Sequence, residues 1–458
     1  MSEGKRAMTK LYDAIVVGAG PAGLLAAKAA AENGLNVALL ERKKQPERMH
    51  RSCGQTLISM NEYYFGNLVN YNSRDKLICF SSDGFSFRYD GPVQNIYNLA
   101  IYTPKGHPVE FGNLESQRGK GDFGRVGLTF DKEELSRSLL SELRKCHVDI
   151  FPHTYIERTI IRNDRVYAEG SGQSFEGSYL IAADGSNSKI AHYLGLNQSR
   201  IFYCNAIGIS YYVSNVVGLR PDQVVRTSNY LPDGAVRTYF VPRPIEGEFN
   251  IVCVTVDPRC DMKAAGEIVL KEGLSGKWLA KARVLRTFTA VASCYSPIQT
   301  PYKDRVLVIG DAAGTQELEI TGAMLSGWKA GQAVSTAVLE NKIGMESSGV
   351  NQYLSWWKKT YIDFYSYDAF MKGNCFPYIL TNGDEYEYVF GLLRETLPAT
   401  WNPYSSPTAE AMRRVMPVIQ QERPEVLAKL LRRKLPATEL LADITKISKP
   451  VIGEDEGT

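Results

Sequence analysis

Residues 12–42 read YDAIVVGAGPAGLLAAKAAAENGLNVALLER, and this stretch decides the fold. Tyr12–Val17 is a largely apolar run that ends at a glycine, which is typical of a buried parallel strand. The alanine-rich segment Pro21–Asn33 predicts a helix, because a glycine follows its last residue. Asn36–Leu40 predicts a second strand, so the stretch as a whole predicts a βαβ unit.

The turn between the first strand and the helix has the pattern G-x-G-x-x-G, formed by Gly18, Gly20 and Gly23. In this pattern the first glycine allows a tight turn, the second lets backbone N–H groups approach a pyrophosphate, and the third allows close helix–strand packing. Pro21 suits the first helical turn, where its missing N–H costs nothing. Glu41 follows at about the 20-residue distance expected of a carboxylate that accepts ribose hydroxyls. The sequence therefore predicts a dinucleotide-binding site.

The composition is that of an ordinary globular protein. The chain has 458 residues, enough for two or three interleaved domains, and is 44% hydrophobic and 22% charged. A net charge of +3 is too small to indicate a nucleic-acid partner. No apolar run approaches the roughly 20 residues of a membrane span, and the first residues lack the apolar core of a signal peptide, so we expect a cytoplasmic protein. The eight cysteines form no C-x-x-C pair, so no metal site is indicated.

The segment after the βαβ unit changes to alternating patterns. Residues 77–103 alternate apolar and polar side chains around Asp83-Gly84, which predicts an antiparallel hairpin. Residues 104–127 are rich in glycine, lysine and arginine and predict an irregular loop. Leucines at every fourth position predict a helix over Thr129–Lys145.

Further strands are predicted at Val148–Phe151, Val166–Ala168 and Tyr179–Ala183, the last ending at Asp184-Gly185. Several strand-like runs between residues 201 and 256 predict an antiparallel sheet separate from the parallel one. An antiparallel sheet inserted between parts of a nucleotide-binding domain is a common way to build a substrate pocket.

A second strand that ends in an acid is predicted near residue 305. Arg305–Ile309 is apolar and leads into Gly310-Asp311, and Thr321–Leu339 predicts a helix of apolar and small residues. The acid suits a sugar-alcohol hydroxyl, while the helix N-terminus suits a phosphate or a ring carbonyl. Residues 351–450 predict amphipathic helices that either cover a core or make peripheral contact with a membrane.

Three motifs in this order, GAGPAG with Glu41, AADG at 182–185 and GDAAG at 310–314, resemble the p-hydroxybenzoate hydroxylase superfamily of FAD-dependent oxidoreductases. Within it the chain is most similar to the geranylgeranyl reductase-like group, between about residues 12 and 340. The resemblance implies an α/β fold, with a Rossmann-like FAD-binding domain of the GR2/PHBH type, an inserted antiparallel-sheet substrate domain and a C-terminal, mostly helical region. We expect the FAD-binding domain at residues 1–75, 126–200 and 296–345, the substrate domain at 76–125 and 201–295, and the helical region at 346–458.

The resemblance also implies non-covalent FAD, with NAD(P)H or reduced ferredoxin as electron donor. The implied cofactor-binding residues are Gly18, Gly20, Pro21, Ala22, Gly23, Glu41, Arg42, Arg51, Cys53, Gly54, Lys132, Asp184, Gly185, Gly310, Asp311, Gly322, Ala323 and Met324. Cys53, Arg51 and Glu319 are the candidate catalytic residues. Cys53 is interpreted as a proton donor, a packing residue or a contact of the flavin ring, and Arg51 as a cation that lowers the thiol pKa or holds an anionic group.

The chain departs from the family at several motifs. After the Asp-Gly motif, Ser188 is followed by Lys189-Ile190-Ala191 instead of leading to an arginine. Lys132 stands where the family's helix opens with arginine. After GDAAG the family has a proline, whereas this chain has Glu317 and Glu319. We interpret these two residues either as surface carboxylates or as including a proton donor with a raised pKa. The aromatic pocket motif P-x-x-Y-x-W-x-F is only echoed, by Pro232 and 239–242.

Three functions remain open on the sequence alone. In the first, the chain is a reductase or dehydrogenase that transfers hydride between flavin and a C–C double bond of an isoprenoid, lipid-like or aromatic substrate. In the second, it is an aromatic or lipid monooxygenase that uses NAD(P)H and O₂, and in the third a flavoprotein that relays electrons to a partner. Cys53-Gly54 and the altered motif after Asp184-Gly185 favour the first. The oligomeric state is not indicated.

Overall fold

The computed structural model describes residues 10–315, 319–345, 348–405 and 407–453, so Glu317 lies outside the described residues. The strands are β1 Leu11–Val17, β2 Val37–Leu40, β3 Thr56–Ile58, β4 Tyr63–Tyr64, β5 Asn67–Asn72, β6 Leu77–Phe80, β7 Phe85–Arg88, β8 Val93–Ile96, β9 Asn98–Tyr102, β10 Pro108–Phe111, β11 Gly127–Phe130, β12 Asp149–Phe151, β13 Arg158–Arg162, β14 Arg165–Gly170, β15 Gln173–Ala182, β16 Phe202–Ser214, β17 Gln223–Leu231, β18 Gly234–Pro242, β19 Glu248–Thr255, β20 Arg283–Tyr295, β21 Tyr302–Lys303 and β22 Val306–Val308. The helices are α1 Pro21–Glu32, α2 Leu114–Gly119, α3 Lys132–Lys145, α4 Lys189–Tyr193, α5 Met262–Lys271, α6 Gly273–Leu279, α7 Glu319–Lys342, α8 Ser348–Trp357, α9 Tyr367–Asn374, α10 Phe376–Ile379, α11 Gly383–Gly391, α12 Pro407–Glu422, α13 Pro424–Leu431, α14 Ala437–Leu440 and α15 Ala442–Thr445.

A parallel sheet forms the centre of the fold. Its strands lie in the order β12-β2-β1-β15, and β22 pairs with β15, all of them parallel. Strands β14 and β13 extend the sheet from β15 by antiparallel pairing. Because parallel strands present their carboxyl ends at one edge, this edge collects the motifs that follow β1, β2, β15 and β22. The predicted α/β fold class is confirmed, while the domain boundaries stay a prediction.

A second sheet has the order β10-β9-β17-β18-β19-β16-β20 and is antiparallel except where β17 meets β9. One of its faces packs apolar side chains, including Phe240 and Ile251, against Trp278 of α6. Its other face points toward the FAD-binding sheet, since Asn250 on β19 donates to the carbonyl of Cys53 at 2.8 Å. The separate sheet predicted between residues 201 and 256 is confirmed.

Two predictions of local structure were wrong. Residues 104–127 are not an irregular loop: Pro108–Phe111 pairs with β9, and the Asn113 side chain caps α2. The helix predicted from Thr129 begins at Lys132, because Gly127–Phe130 is a strand between β3 and β8. In the second case pairing with strands distant in sequence overrides the local pattern, whereas β10 pairs with its neighbour β9 in the chain.

The C-terminal region is helical, as predicted, and its last segment returns to the first sheet's edge. The side-chain amide of Asn205 donates a hydrogen bond to the carbonyl of Lys449 at 2.8 Å, and the Val451 amide donates one to the Ser293 hydroxyl at 2.8 Å. The Gly453 amide then donates to the carbonyl of Asn187 at 2.6 Å. Among the described residues, no helix combines the length and the apolar composition that a membrane crossing requires.

We expect that Gly327→Ala destabilises the fold. A Cβ at Gly327 of α7 would lie 2.1 Å from the Ala22 carbonyl oxygen, so α1 and α7 must separate to accept it. Overpacking of this kind costs about 1–3 kcal/mol of unfolding free energy. The control is Gly373→Ala in α9, where a Cβ meets no atom within 4 Å and helix propensity favours alanine. Chemical denaturation of both variants measures the difference, and equal stabilities would contradict the close packing of α1 and α7.

Candidate active site

A cleft lies at the carboxyl edge of the parallel sheet and holds about 1170 Å³ of space, counting the part open to solvent. Most of the predicted cofactor-binding residues border it. They are Gly18, Gly20, Pro21, Ala22, Glu41, Arg42, Arg51, Lys132, Asp184, Gly185, Gly310, Asp311 and Ala323. The remaining predicted residues, Gly23, Cys53, Gly54, Gly322, Met324 and Glu319, do not border the cleft.

The glycine turn shapes the cleft floor. Gly18 has φ +102°, and a Cβ there would lie 2.4 Å from the carbonyl oxygen of Ala183. A Cβ at Gly23 would lie 1.8 Å from the Gly18 carbonyl oxygen, so only glycine lets α1 begin this close to the turn. Among the described residues, a Cβ at Gly20 would meet no atom within 4 Å, and no side chain caps α1. The turn therefore offers open space and free helix N–H groups, which fits a pyrophosphate.

Glu41 is held in place by backbone groups. Its Oε2 accepts a hydrogen bond from the Ala19 amide at 2.6 Å, and its Oε1 accepts one from the Lys43 amide at 2.9 Å. The side chain is 4% exposed, so the carboxylate has a fixed orientation at the cleft. Because each carboxylate oxygen can accept a second hydrogen bond, this arrangement fits ribose hydroxyls.

Asp184 stabilises its own loop. Its Oδ1 accepts from the Ser188 hydroxyl at 2.6 Å and its Oδ2 from the Ile190 amide at 3.3 Å. Burial raises the pKa of Asp184, although these hydrogen bonds favour the ionised form. These contacts fix the conformation of the loop that follows β15.

Asp311 lies among cations at the end of β22. Burial raises the pKa of Asp311, while Lys132, the hydroxyl of Thr315 and Arg51 lower it. The Thr315 hydroxyl is 3.3 Å from Asp311 Oδ1. A carboxylate in this position of the cleft fits a sugar-alcohol hydroxyl, the role that the motif implies.

Residues 51–55, which we call the Cys53 loop, join the cleft to the second sheet. Cys53 Sγ lies 3.6 Å from Lys132 Nζ at the start of α3. Arg51 borders the cleft, and its guanidinium donates to the carbonyl of Val291 at 2.6 Å. The structure thus places Lys132 at the thiol, in the position expected of Arg51.

Glu319 lies beside this loop at the start of α7. Its Oε2 accepts a hydrogen bond from the hydroxyl of Thr56 at 2.7 Å, and a Cβ at Gly54 would lie 3.9 Å from the same atom. The residue retains exposed surface. Burial raises the pKa of Glu319, and the negative charge of Asp311 raises it further.

Sequence reasoning missed several residues of the cleft wall, namely Lys43, Thr154, Tyr155, Asn187, Lys189 and Gly453. Thr154 and Tyr155 follow β12, so the predicted strand at Val148–Phe151 carried a usable signal for them. Gly453 carried none, because it comes from the opposite end of the chain.

Residues 13–61 match the FAD-binding domain family. The chain carries an FAD-binding domain. This match covers the glycine turn, Glu41 and the Cys53 loop, the residues whose geometry fits the cofactor. The predicted cofactor, FAD, is confirmed.

Curated relatives extend the similarity beyond this domain. The chain is 26% identical over 380 residues to a digeranylgeranylglycerophospholipid reductase of Methanocaldococcus jannaschii, covering 78% of this chain and 85% of that protein. It is 28% identical over 197 residues to a protein of the same name from Methanosarcina acetivorans. That match spans only 42% of either protein. The resemblance to the geranylgeranyl reductase-like group is confirmed.

Solved structures share the fold. A geranylgeranyl bacteriochlorophyll reductase-like protein from Thermoplasma acidophilum has a TM-score of 0.67 and 19% identity, covering 93% of this chain and 99% of that one. A p-nitrophenol 4-monooxygenase from Pseudomonas putida has a TM-score of 0.55 and 16% identity, covering 95% and 99%. Reductase-like proteins and monooxygenases are thus both similar in fold, and the fold alone does not distinguish their chemistry.

We expect that Gly20→Val abolishes FAD binding while the protein stays folded. The valine side chain would enter the cleft space that the pyrophosphate needs, whereas its Cβ meets no protein atom within 4 Å. Gly391→Val is the control, since a Cβ there also meets no atom within 4 Å and the residue does not border the cleft. Flavin absorbance and circular dichroism of the purified proteins give both readouts. A yellow Gly20→Val protein with unchanged FAD affinity would show that the pyrophosphate lies elsewhere.

Proposed function

We propose that this chain is an FAD-dependent reductase that saturates a C–C double bond of a hydrophobic, isoprenoid-like substrate. FAD, when bound, supplies hydride chemistry. One observation carries the proposal: the structure brings a thiol beside a lysine and a carboxyl group with a raised pKa together at the Cys53 loop. Reduction of an alkene by hydride requires a proton for the second carbon, and this loop holds groups that can deliver one.

The chain's own residues would hold the cofactor along the cleft. We assign the turn at Gly18 and Gly20 to the pyrophosphate and Glu41 to a ribose. Asp311 is assigned to the ribityl chain, with Arg51 and Lys132 supplying positive charge nearby. These assignments follow from the residues' positions on one cleft and from the hydrogen-bonding capacity that each retains.

Two groups compete as proton donor. Glu319 stays protonated to a higher pH than an ordinary glutamate, and Thr56 fixes the orientation of its carboxyl group. Cys53 instead lies at the junction with the second sheet, where its Sγ is 3.6 Å from Lys132 Nζ and its carbonyl accepts from Asn250. We therefore assign proton delivery to Glu319 and the positioning of the substrate or the flavin ring to Cys53 and Lys132.

Relatives named as reductases support this activity over oxygen chemistry. The isoprenoid-like substrate class is supported by those relatives, which are named as reductases of digeranylgeranylglycerophospholipid. The electron donor, NAD(P)H or reduced ferredoxin, stays a prediction, as does peripheral contact with a membrane.

The activity is tested under argon by mixing dithionite-reduced holoenzyme with geranylgeraniol, geranylgeranoic acid or geranylgeranyl monophosphate, each in a separate experiment. We expect the flavin to reoxidise and the product to gain two hydrogens per double bond reduced, as measured by stopped-flow absorbance and mass spectrometry. Cys53→Ala should slow this step with little change in FAD affinity, since the residues assigned to the pyrophosphate, the ribose and the ribityl chain are unchanged. Reoxidation only under air, with oxygen incorporated into the product, would establish a monooxygenase instead.

We expect that Glu319→Gln slows proton delivery and changes the pH profile. In the wild type the rate of the oxidative half-reaction should fall as pH rises through the raised pKa of Glu319, because the protonated carboxyl is the active form. Glutamine cannot donate a proton in this way, so the variant should be slow at low pH and lack this alkaline decline. The control is Glu267→Gln on the exposed surface of α5. If Glu319→Gln keeps the wild-type rate and profile, another group protonates the substrate.

A further inference from the structure

Polar side chains share the side of the second sheet that meets the Cys53 loop. In the antiparallel register of β18 and β19, Arg237 lies opposite Val254, Tyr239 opposite Val252 and Val241 opposite Asn250. Because side chains alternate along a strand, Arg237 and Tyr239 lie on the same face as Asn250. That face is the one whose Asn250 donates to the Cys53 carbonyl at 2.8 Å.

Three polar groups on this face are buried without a hydrogen-bond partner in the described part of the chain. They are Nε of Arg237, Oδ1 of Asn250 and Oγ of Ser210. Ser210 on β16 pairs with Val252, so it shares the face with Tyr239. The three residues are 6%, 1% and 0% exposed. Unpaired buried polar atoms are rare in native proteins, and a cluster of them on one face indicates a missing polar ligand.

The guanidinium of Arg237 interacts with the side chain of Tyr239 on the same face. The guanidinium also donates hydrogen bonds to two neutral acceptors of Asn374, the side-chain oxygen and, at 2.8 Å, the backbone carbonyl oxygen. Within the described residues, no carboxylate forms an ion pair with Arg237. A buried cation is costly unless an anion pairs with it.

A second arginine adds to the positive field. Arg226 on β17 lies directly opposite Tyr239 on β18, so two arginines flank this tyrosine. Burial alone would raise the pKa of Tyr239, but the positive charges of Arg237 and Arg226 outweigh burial and lower it. This part of the sheet therefore favours negative charge.

The cationic group lies within reach of the proposed reaction centre. Tyr239 and Arg237 are two and four residues along β18 from Val241, the partner of Asn250. At about 3.4 Å per residue they lie roughly 7 and 14 Å along the strand from the Cys53 contact.

We propose that Arg237, Tyr239 and Arg226 bind an anionic oxygen group of the substrate, a carboxylate or a phosphate, while its double bond lies near the Cys53 loop. Ser210 and Asn250 add polar contacts along the same face. This inference rests on the proposed function for the direction in which the substrate lies. The enzyme then selects acidic molecules and discriminates against neutral hydrocarbons and alcohols, whose entry would leave the arginines unpaired.

Binding to the oxidised holoenzyme tests the inference without turnover. Farnesoic acid, farnesyl monophosphate and farnesol share one apolar chain and differ in the terminal group. We expect at least one of the two anions to bind at least tenfold more tightly than farnesol, as measured by calorimetry and by perturbation of flavin absorbance. Tighter binding of the acid identifies a carboxylate site, and tighter binding of the monophosphate identifies a phosphate site.

Arg237→Met should remove the preference for anions by tenfold or more and leave farnesol binding unchanged. Arg237→Lys should retain part of the preference, while the control Arg283→Met, at an exposed position of β20, should retain all of it. If Arg237→Met does not fold, Tyr239→Phe and Arg226→Met should each weaken anion binding. Equal affinity for the acid, the monophosphate and farnesol in the wild type would overturn the inference. Anion binding without alkene reduction would overturn the proposed function and leave this site standing.

Discussion

The rest of the structure depends on the close approach of the backbone at the first helix. The Gly18 carbonyl occupies the space where any residue other than glycine at position 23 would place its Cβ. Helix α1 can therefore start immediately at the turn and direct its free N–H groups into the cleft. Helix α7 packs closely against the same helix at Gly327. The hydroxyl of Ser326, also on α7, accepts a hydrogen bond from the amide of Gly310 at 3.1 Å. The packing of α7 against α1 and the Ser326 hydrogen bond thus hold the first and third FAD motifs together.

The Cys53 loop has a comparable role between the two sheets. The Ser52 amide donates to the carbonyl of Thr289 at 3.0 Å, Gln55 donates to the Tyr212 hydroxyl, and Cys53 accepts from Asn250. Three successive contacts with the second sheet leave this loop little freedom. The groups proposed for proton delivery and substrate positioning lie at this junction, where a substrate on the second sheet would meet the cofactor of the first.

Polarity differs between the two faces of the second sheet, and this difference bears on the substrate. One face is an ordinary apolar core against α5 and α6. The other carries Arg237, Tyr239 and Asn250 at positions where a site for a pure hydrocarbon would need only apolar side chains. Buried unpaired polar groups are retained when a ligand completes them, so the face is consistent with a substrate that has both an apolar part and a charged part.

The sequence by itself determined the βαβ unit, its glycines, Glu41 and the FAD motifs, since each depends on backbone conformation and periodicity within a few residues. It did not predict β10 and α2, although β10 pairs with the neighbouring strand β9 and Asn113 caps α2 from the position directly before it. Only the tertiary structure placed Lys132 at the Cys53 thiol and Glu319 at Thr56, across 79 and 263 residues of chain. Such contacts depend on how strands distant in sequence pair and pack, so no local pattern of residues encodes them.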